Sequence, residues 1–251
     1  MFNLQSKKIM FVYLAAAAMI FCAINVLADW DYGGPHKMHF PQLPDPVGWD
    51  VNVSDYTLAD DFLCTGDGSV KQVHFWISWE NDIEGIIDNI RLSFHKDIPA
   101  ADSPTGYSMP GELLWEHNFV ESDFKYRFWD IGDQGWFDPV TGIARKPDHQ
   151  NIYQINVTLP VTHPFVQVLD TIYWLDIKLD VFGGLAGWKT SIDHWNDDAV
   201  FELVDDPFWG ELRDPYEPEI SLDLAFVIDP IPEPGFIFIC IAAIFLLKRV
   251  M

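Results

Sequence analysis

Cysteine is nearly missing from this chain. Cys22 and Cys240 fall in apolar terminal segments, which leaves Cys64 alone in the body. One cysteine excludes an internal disulfide and a thiolate metal cluster. A body of roughly 200 residues can bury enough apolar surface without such staples. Basic residues are also scarce, 15 against 38 acidic. Setting aside Lys7, Lys8, Glu233, Lys248 and Arg249 at the ends, the body keeps 11 basic and 37 acidic residues, a net charge of −26. Nucleic acid is excluded as a partner, because its binding rests on neutralising phosphates. Anionic membrane surfaces are disfavoured for the same reason. The body has no long amphipathic helix, no βαβ alternation and no fixed-period repeat. It also has no Gly-x-Ser-x-Gly, His-Glu-x-x-His or P-loop pattern.

The long hydrophobic runs lie at the two ends. Lys7 and Lys8 precede an apolar stretch from Ile9 to Ile24. Val26 and Ala28 then stand as small residues before a predicted cut at Asp29, which makes 1–28 a secretory signal peptide. The alternative is an uncleaved anchor, since Ile9 to Leu27 could nearly span a bilayer. Phe21 ahead of Cys22 argues against a lipoprotein.

The other end, 230–251, carries Pro232-Glu233-Pro234, an apolar run over 236–247, and Lys248-Arg249. As a helix that run is roughly 18 Å long, short of the ~30 Å hydrocarbon core. It suits a transient stop in the membrane better than a permanent anchor. Pro-Glu-Pro, a hydrophobic helix and a basic end resemble the PEP-CTERM sorting signal read by exosortases. The resemblance covers about twenty residues. It departs from the family in its short Lys-Arg end and in Gly235-Phe236 after the motif. It implies export, with signal peptidase and an exosortase-like membrane protease as partners. The destination would be the cell surface or extracellular matrix, and membrane contact through the C-terminal helix would be transient or permanent.

The segment between, 29–229, reads as one acidic all-β domain. Val73, Phe75, Ile77 and Trp79 alternate with Gln72, His74, Trp76 and Ser78. The same period of two recurs over 90–95, 153–159, 173–179 and 221–228, as expected for strands with one buried face. Asp102-Ser103-Pro104-Thr105-Gly106 and Asp138-Pro139-Val140-Thr141-Gly142 read as turns. A single β-sandwich of jelly-roll type follows. Residues 29–48 form a Pro/Gly-rich arm, and 205–219 an acidic, proline-rich loop.

Several stretches carry a second likeness, among them Leu58-Ala59-Asp60-Asp61-Phe62-Leu63-Cys64, Val73 to Trp79 and Asp193 to Phe201. Tyr107 to Glu112, Gly187 to Ser191 and Asp223 to Ile228 belong to the same set. The set resembles a domain of unknown function found in secreted bacterial proteins, often beside a PEP-CTERM tail. The resemblance brings no assigned activity and no site residues.

The densest polar and aromatic cluster is Trp188, Lys189, Asp193, His194, Trp195, Asn196, Asp197 and Asp198. Aromatic rings stack on sugar faces while Asp, Asn and Lys bond hydroxyls. The oxygens of Asp193, Asn196, Asp197 and Asp198 also suit Ca²⁺, a hard cation. The plainer alternative is an architectural turn, with both tryptophans in the core and the acids bonded to backbone. Strand parity offers a second candidate, an outward patch of Trp76 and Trp174 with His74, Asp176, Lys178 and Asp223. His36, His39, His117, His149 and His163 show no metal-ligand spacing and read as surface histidines. Adjacent acid pairs such as Asp60-Asp61 point to opposite faces of a strand and make no glycosidase pair by themselves. The expectation is a non-catalytic adhesion or glycan-binding module for extracellular polysaccharide. A purely structural surface protein and a glycan-active hydrolase are the alternatives.

Overall fold

The computed structural model describes residues 29–203 and 208–229. The expected signal peptide, sorting tail and 236–247 helix all fall outside the described residues. The described part is all-β, with two one-turn 3-10 segments at 80–82 and 121–123. No helix among the described residues is long and apolar enough to cross a membrane.

The strands are β1 (Trp49–Asn52), β2 (Leu58–Leu63), β3 (Gly68–Ser69), β4 (Gln72–Trp79), β5 (Ile86–Ile98), β6 (Met109–Val120) and β7 (Phe124–Asp138). They continue as β8 (Ile143–Thr158), β9 (Val166–Gln167), β10 (Ile172–Phe182), β11 (Ala186–Lys189), β12 (Val200–Glu202), β13 (Trp209–Glu211) and β14 (Phe226–Asp229). Two six-stranded sheets result, ordered β11-β1-β7-β8-β4-β14 and β13-β12-β2-β10-β5-β6. Val73, Phe75 and Ile77 of the first sheet share one core with Phe62, Leu92, Phe94 and Leu175 of the second. Phe62 meets Phe226 across that core at 5.9 Å. The layering is compatible with the expected sandwich.

Both predicted turns are present. At the tip of the β7–β8 hairpin, Asp138 Oδ1 accepts the amides of Val140 and Thr141, each at 3.0 Å. Gly142 then takes a left-handed φ of 71°, which glycine tolerates without steric cost. The acidic loop at 205–219 contains β13, paired antiparallel with β12.

The expectation of strands with one buried face is corrected. Every residue of β4 is buried, including Gln72, His74, Trp76 and Ser78. The cause is a ring. β11 pairs with both β1 and β4, β1 with β7, β7 with β8, and β8 with β4, so five strands close on themselves. Ser78 Oγ donates to Gln134 Oε1 at 2.8 Å, and His149 Nε2 lies 2.9 Å from Asp50 Oδ2. Each bond joins strands that are not neighbours in the ring, so these side chains fill its interior. The face that alternation marked as polar points into the ring, away from water.

The N-terminal arm closes the rest. It bridges Met38 to Cys64, Gln42 to Phe226 and Pro44 to Ser191. Trp30 packs edge-on against Trp76 at 6.0 Å, and Trp129 lies 5.3 Å from the same ring.

Candidate functional site

The segment 187–201 is used internally. Gly187 packs so closely on Asp50 that a Cβ there would sit 2.7 Å from the Asp50 Cβ. Trp188 is fully buried, edge-on to Phe75 and Phe226, and its indole donates to Ala225 O at 2.9 Å. The loop that follows distributes its polar groups among different partners. The Asp193 amide donates to Ser191 Oγ, and His194 lies 3.3 Å from Asp223. The Trp195 amide donates to Asp223 Oδ2 at 2.7 Å, and its ring stacks on His39 at 4.3 Å. Asn196, at a left-handed φ of 60°, donates its amide to Asp61. Asp197 accepts from the Ser108 amide at 2.9 Å, and Asp198 holds Ser221 and Arg213.

Of the four oxygen donors offered for Ca²⁺, the Asn196, Asp197 and Asp198 side chains bond to three different parts of the chain. Among the described residues no group of three His, Cys, Asp or Glu side chains is spaced to hold a metal ion. His39 is not a free surface histidine: its Nδ1 accepts the Leu63 amide at 3.3 Å, its ring stacks on Trp195, and burial, with His36 adding a smaller push, lowers its pKa to about 4.

The outward patch is corrected as well. Trp76 and Trp174 expose no surface. Their strand parity is as predicted, but other layers cover them. Over Trp174 lie Tyr107 and Trp209, with Tyr107 donating to Trp209 O at 2.6 Å. The Trp174 indole donates to Asp97 at 2.9 Å.

Buried carboxylates crowd this region. Asp60 accepts from Gln42 Nε2, Leu224 N and Asp61 N at 2.8, 2.6 and 2.8 Å. Burial first, then the charges of Asp223 and Asp61, push its carboxyl well above the usual carboxylate range. Asp61 is pushed up in the same way, by burial and then by Asp223, Asp97 and Asp197, against the Asn196 bond. Its Oδ1 has no hydrogen-bond partner.

A different arrangement fills the ring. Lys189, Asp50 and His149 are buried, Lys189 and Asp50 completely. Lys189 Nζ donates to Asp50 Oδ2 at 2.8 Å and to Trp49 O at 3.3 Å. His149 Nδ1 lies 2.9 Å from Asp148, which also holds Arg145 at 3.2 Å. Burial alone would raise the Asp50 pKa, yet the Lys189 and His149 charges more than offset it and the pKa falls. The expectation of a surface histidine at 149 is overturned, because ring closure encloses it.

One end of the first sheet remains open. A cavity of about 220 Å³ is lined by Trp79, Gly85, Ile86, Glu121, Phe124 and Tyr126. Gly85 is required there. A Cβ would sit 2.8 Å from both Gly184 N and Phe182 O. The Trp79 indole donates to Tyr126 Oη at 2.6 Å. Tyr126 stacks on Tyr153 at 4.7 Å with 13° between planes, and Tyr153 donates to Glu84. Burial raises both phenols, so they stay protonated donors. Ile86, which lines the cavity, is exposed, as are Val120, Phe128 and Phe182, and Phe128 lies edge-on to Tyr153 at 6.1 Å. Ile86 and Phe182 are cross-strand partners. The sequence reading missed this cavity. A signal was present in Phe124, Tyr126 and Phe128, which alternate with Lys125 and Arg127.

Residues 38–229 match the model of a family described as a domain of unknown function, DUF7901. The chain belongs to that family. No curated protein and no solved structure matches it. The DUF7901 region begins at the Met38 bridge and ends with β14, so it contains every strand of the described residues, the charged ring interior and the open cavity. Trp30, which caps Trp76, lies before it.

Proposed function

We propose that this DUF7901 protein is exported from a bacterial cell and works at the surface or in the matrix as a non-catalytic glycan-binding module. In this reading a signal peptide directs export and is cut between Ala28 and Asp29. An exosortase-like protease then acts at Pro232-Glu233-Pro234, ahead of Lys248-Arg249. The body is a sandwich, jelly-roll-like in the expected sense, that carries one open aromatic cavity.

The observation that carries the binding assignment is that cavity. Trp79, Tyr126 and Phe124 offer ring surface, and Glu121 lies at its wall. Rings cover the apolar faces of a sugar while carboxylates accept its hydroxyls. The body's net charge repels polyanions, so the fitting ligand is a neutral or amino-sugar polysaccharide. A non-catalytic role is favoured because the acids of 187–201 are spent on internal bonds.

The test is a glycan array probed with the intact chain, its hits measured by calorimetry. Phe128→Ala and Tyr126→Ala are expected to lose the signal. Phe128 is 53 % exposed, so its variant separates binding from folding. A signal untouched by both variants would move the site elsewhere. Absence of any signal would favour the purely structural role.

A further inference from the structure

The ring interior holds an amine and a carboxyl in contact, sealed from water. Asp50 and Lys189 are register partners on the antiparallel β1–β11 pair, so backbone pairing fixes their approach. Nζ stands 2.8 Å from Oδ2, which puts it within contact distance of the carboxyl carbon. Both side chains are fully buried. His149 Nε2 meets the same Oδ2 at 2.9 Å, so a ring nitrogen stands at hydrogen-bond distance on the carboxyl group.

The two oxygens of Asp50 are unlike. Oδ2 receives both Lys189 and His149, while Oδ1 is buried with no partner. A buried carboxylate oxygen without a donor is costly. An amide in place of the carboxylate would keep one oxygen for His149 and eliminate the orphan.

We propose that Lys189 and Asp50 condense to an isopeptide bond that covalently joins β1 to β11. The Lys189 amine attacks the Asp50 carboxyl carbon. His149 stays on Oδ2 and stabilises the charge that builds there, while the two protons shed by the attacking nitrogen pass to the departing Oδ1. A C–N bond forms, a C–O bond breaks, and ammonium plus carboxylate become amide plus water. The step consumes no oxidant and no co-reactant. Desolvation favours the neutral amine, since burial lowers the Lys189 pKa against the pull of Asp50. Exclusion of water then protects the product from hydrolysis. The bond would close a loop between residues 139 apart in a body with one cysteine, where no disulfide can serve.

The experiment is intact-mass measurement on the purified full chain, with its termini read by peptide sequencing and its folding checked by circular dichroism. The expected mass is lower than that of the sequence by one water. Proteolysis is expected to release a branched peptide linking the Lys189 segment to the Asp50 segment. Lys189→Arg is expected to restore the full mass. Should that variant fail to fold, the branched peptide from the unaltered chain decides alone. An unmodified mass in folded protein would overturn the proposal. So would a water lost within a single peptide, as in an aspartyl succinimide.

Discussion

The segment 187–201 and the cavity beside Tyr126 make opposite use of similar residues. The first concentrates Trp, Asp, Asn, His and Lys, and the fold consumes nearly all of them. Trp188 is core, Lys189 fills the ring, and the acids bind amides, Ser221 and Arg213. The second is less conspicuous in the sequence, yet it keeps Tyr126 partly in solvent at an open space, with the exposed Phe128 against Tyr153, the ring that stacks on Tyr126. Density of functional residue types marks places where polar bonds are needed. Whether those bonds go to the chain or to a ligand depends on what packs over them.

The largest effect should come from breaking the core half of that contrast. Trp188→Ala removes a fully buried indole and its bond to Ala225 O. A loss of about 3–5 kcal/mol in denaturant unfolding is expected. Lys189→Met should cost a similar amount, about 3–5 kcal/mol, because it leaves the buried Asp50 carboxylate with His149 as its remaining partner in the ring. A loss below about 1 kcal/mol in either variant would mean that the segment packs more loosely than described.

Buried charge without a cation should respond the other way. Asp61→Asn keeps a polar group beside Asn196 and removes a charge repelled by Asp223, Asp97 and Asp197. Unfolding at neutral pH should show it unchanged or more stable by about 1 kcal/mol. A large loss would show that the Asp61 charge is needed.

The pH profile sharpens the same point. Asp60, Asp61 and Asp97 have folded pKa values raised above the usual carboxylate value, and Asp198 is raised to about 6 by burial, despite Ser221 and Arg213. A raised carboxyl binds its proton more tightly in the folded state. Its stability contribution is therefore lost as pH climbs from about 4 through the folded pKa. His95, His149 and His194 are raised too and act in the same direction. The lowered Asp50 and His39 oppose it at the acid end. Thermal unfolding is expected to show higher stability near pH 5.5 than near pH 8. A flat profile, or one rising with pH, would contradict this ordering of charges.

The smallest effect belongs to the cavity. Tyr126→Phe removes the acceptor of the Trp79 indole and should cost about 1 kcal/mol in stability. The ring surface is retained, so glycan binding should persist.

Alternation over 73–79, 90–95, 153–159 and 173–179 was enough to find β4, β5, β8 and β10, and Asp-Pro-Val-Thr-Gly was enough to find a hairpin tip. These are local properties, set by backbone period and turn chemistry. The Trp76 and Trp174 faces were misread because burial of a strand's second face depends on distant segments. For Trp76 that cover is the arm and Trp129; for Trp174 it is Tyr107 and Trp209. Ring closure was illegible for the same reason, since it hangs on the three-residue registers of β11 with β1 and β4. The bonds of the loop at 191–198 to Ser108, Asp61 and Asp223 fit the architectural-turn alternative.

The most direct test is glycan binding by the intact chain compared across Phe128→Ala and Trp195→Ala. Trp195 is the one conspicuous tryptophan of its segment that remains partly exposed. Loss of binding in Phe128→Ala with retention in Trp195→Ala is the predicted result. Loss in Trp195→Ala alone would return the site to 187–201 and contradict the account.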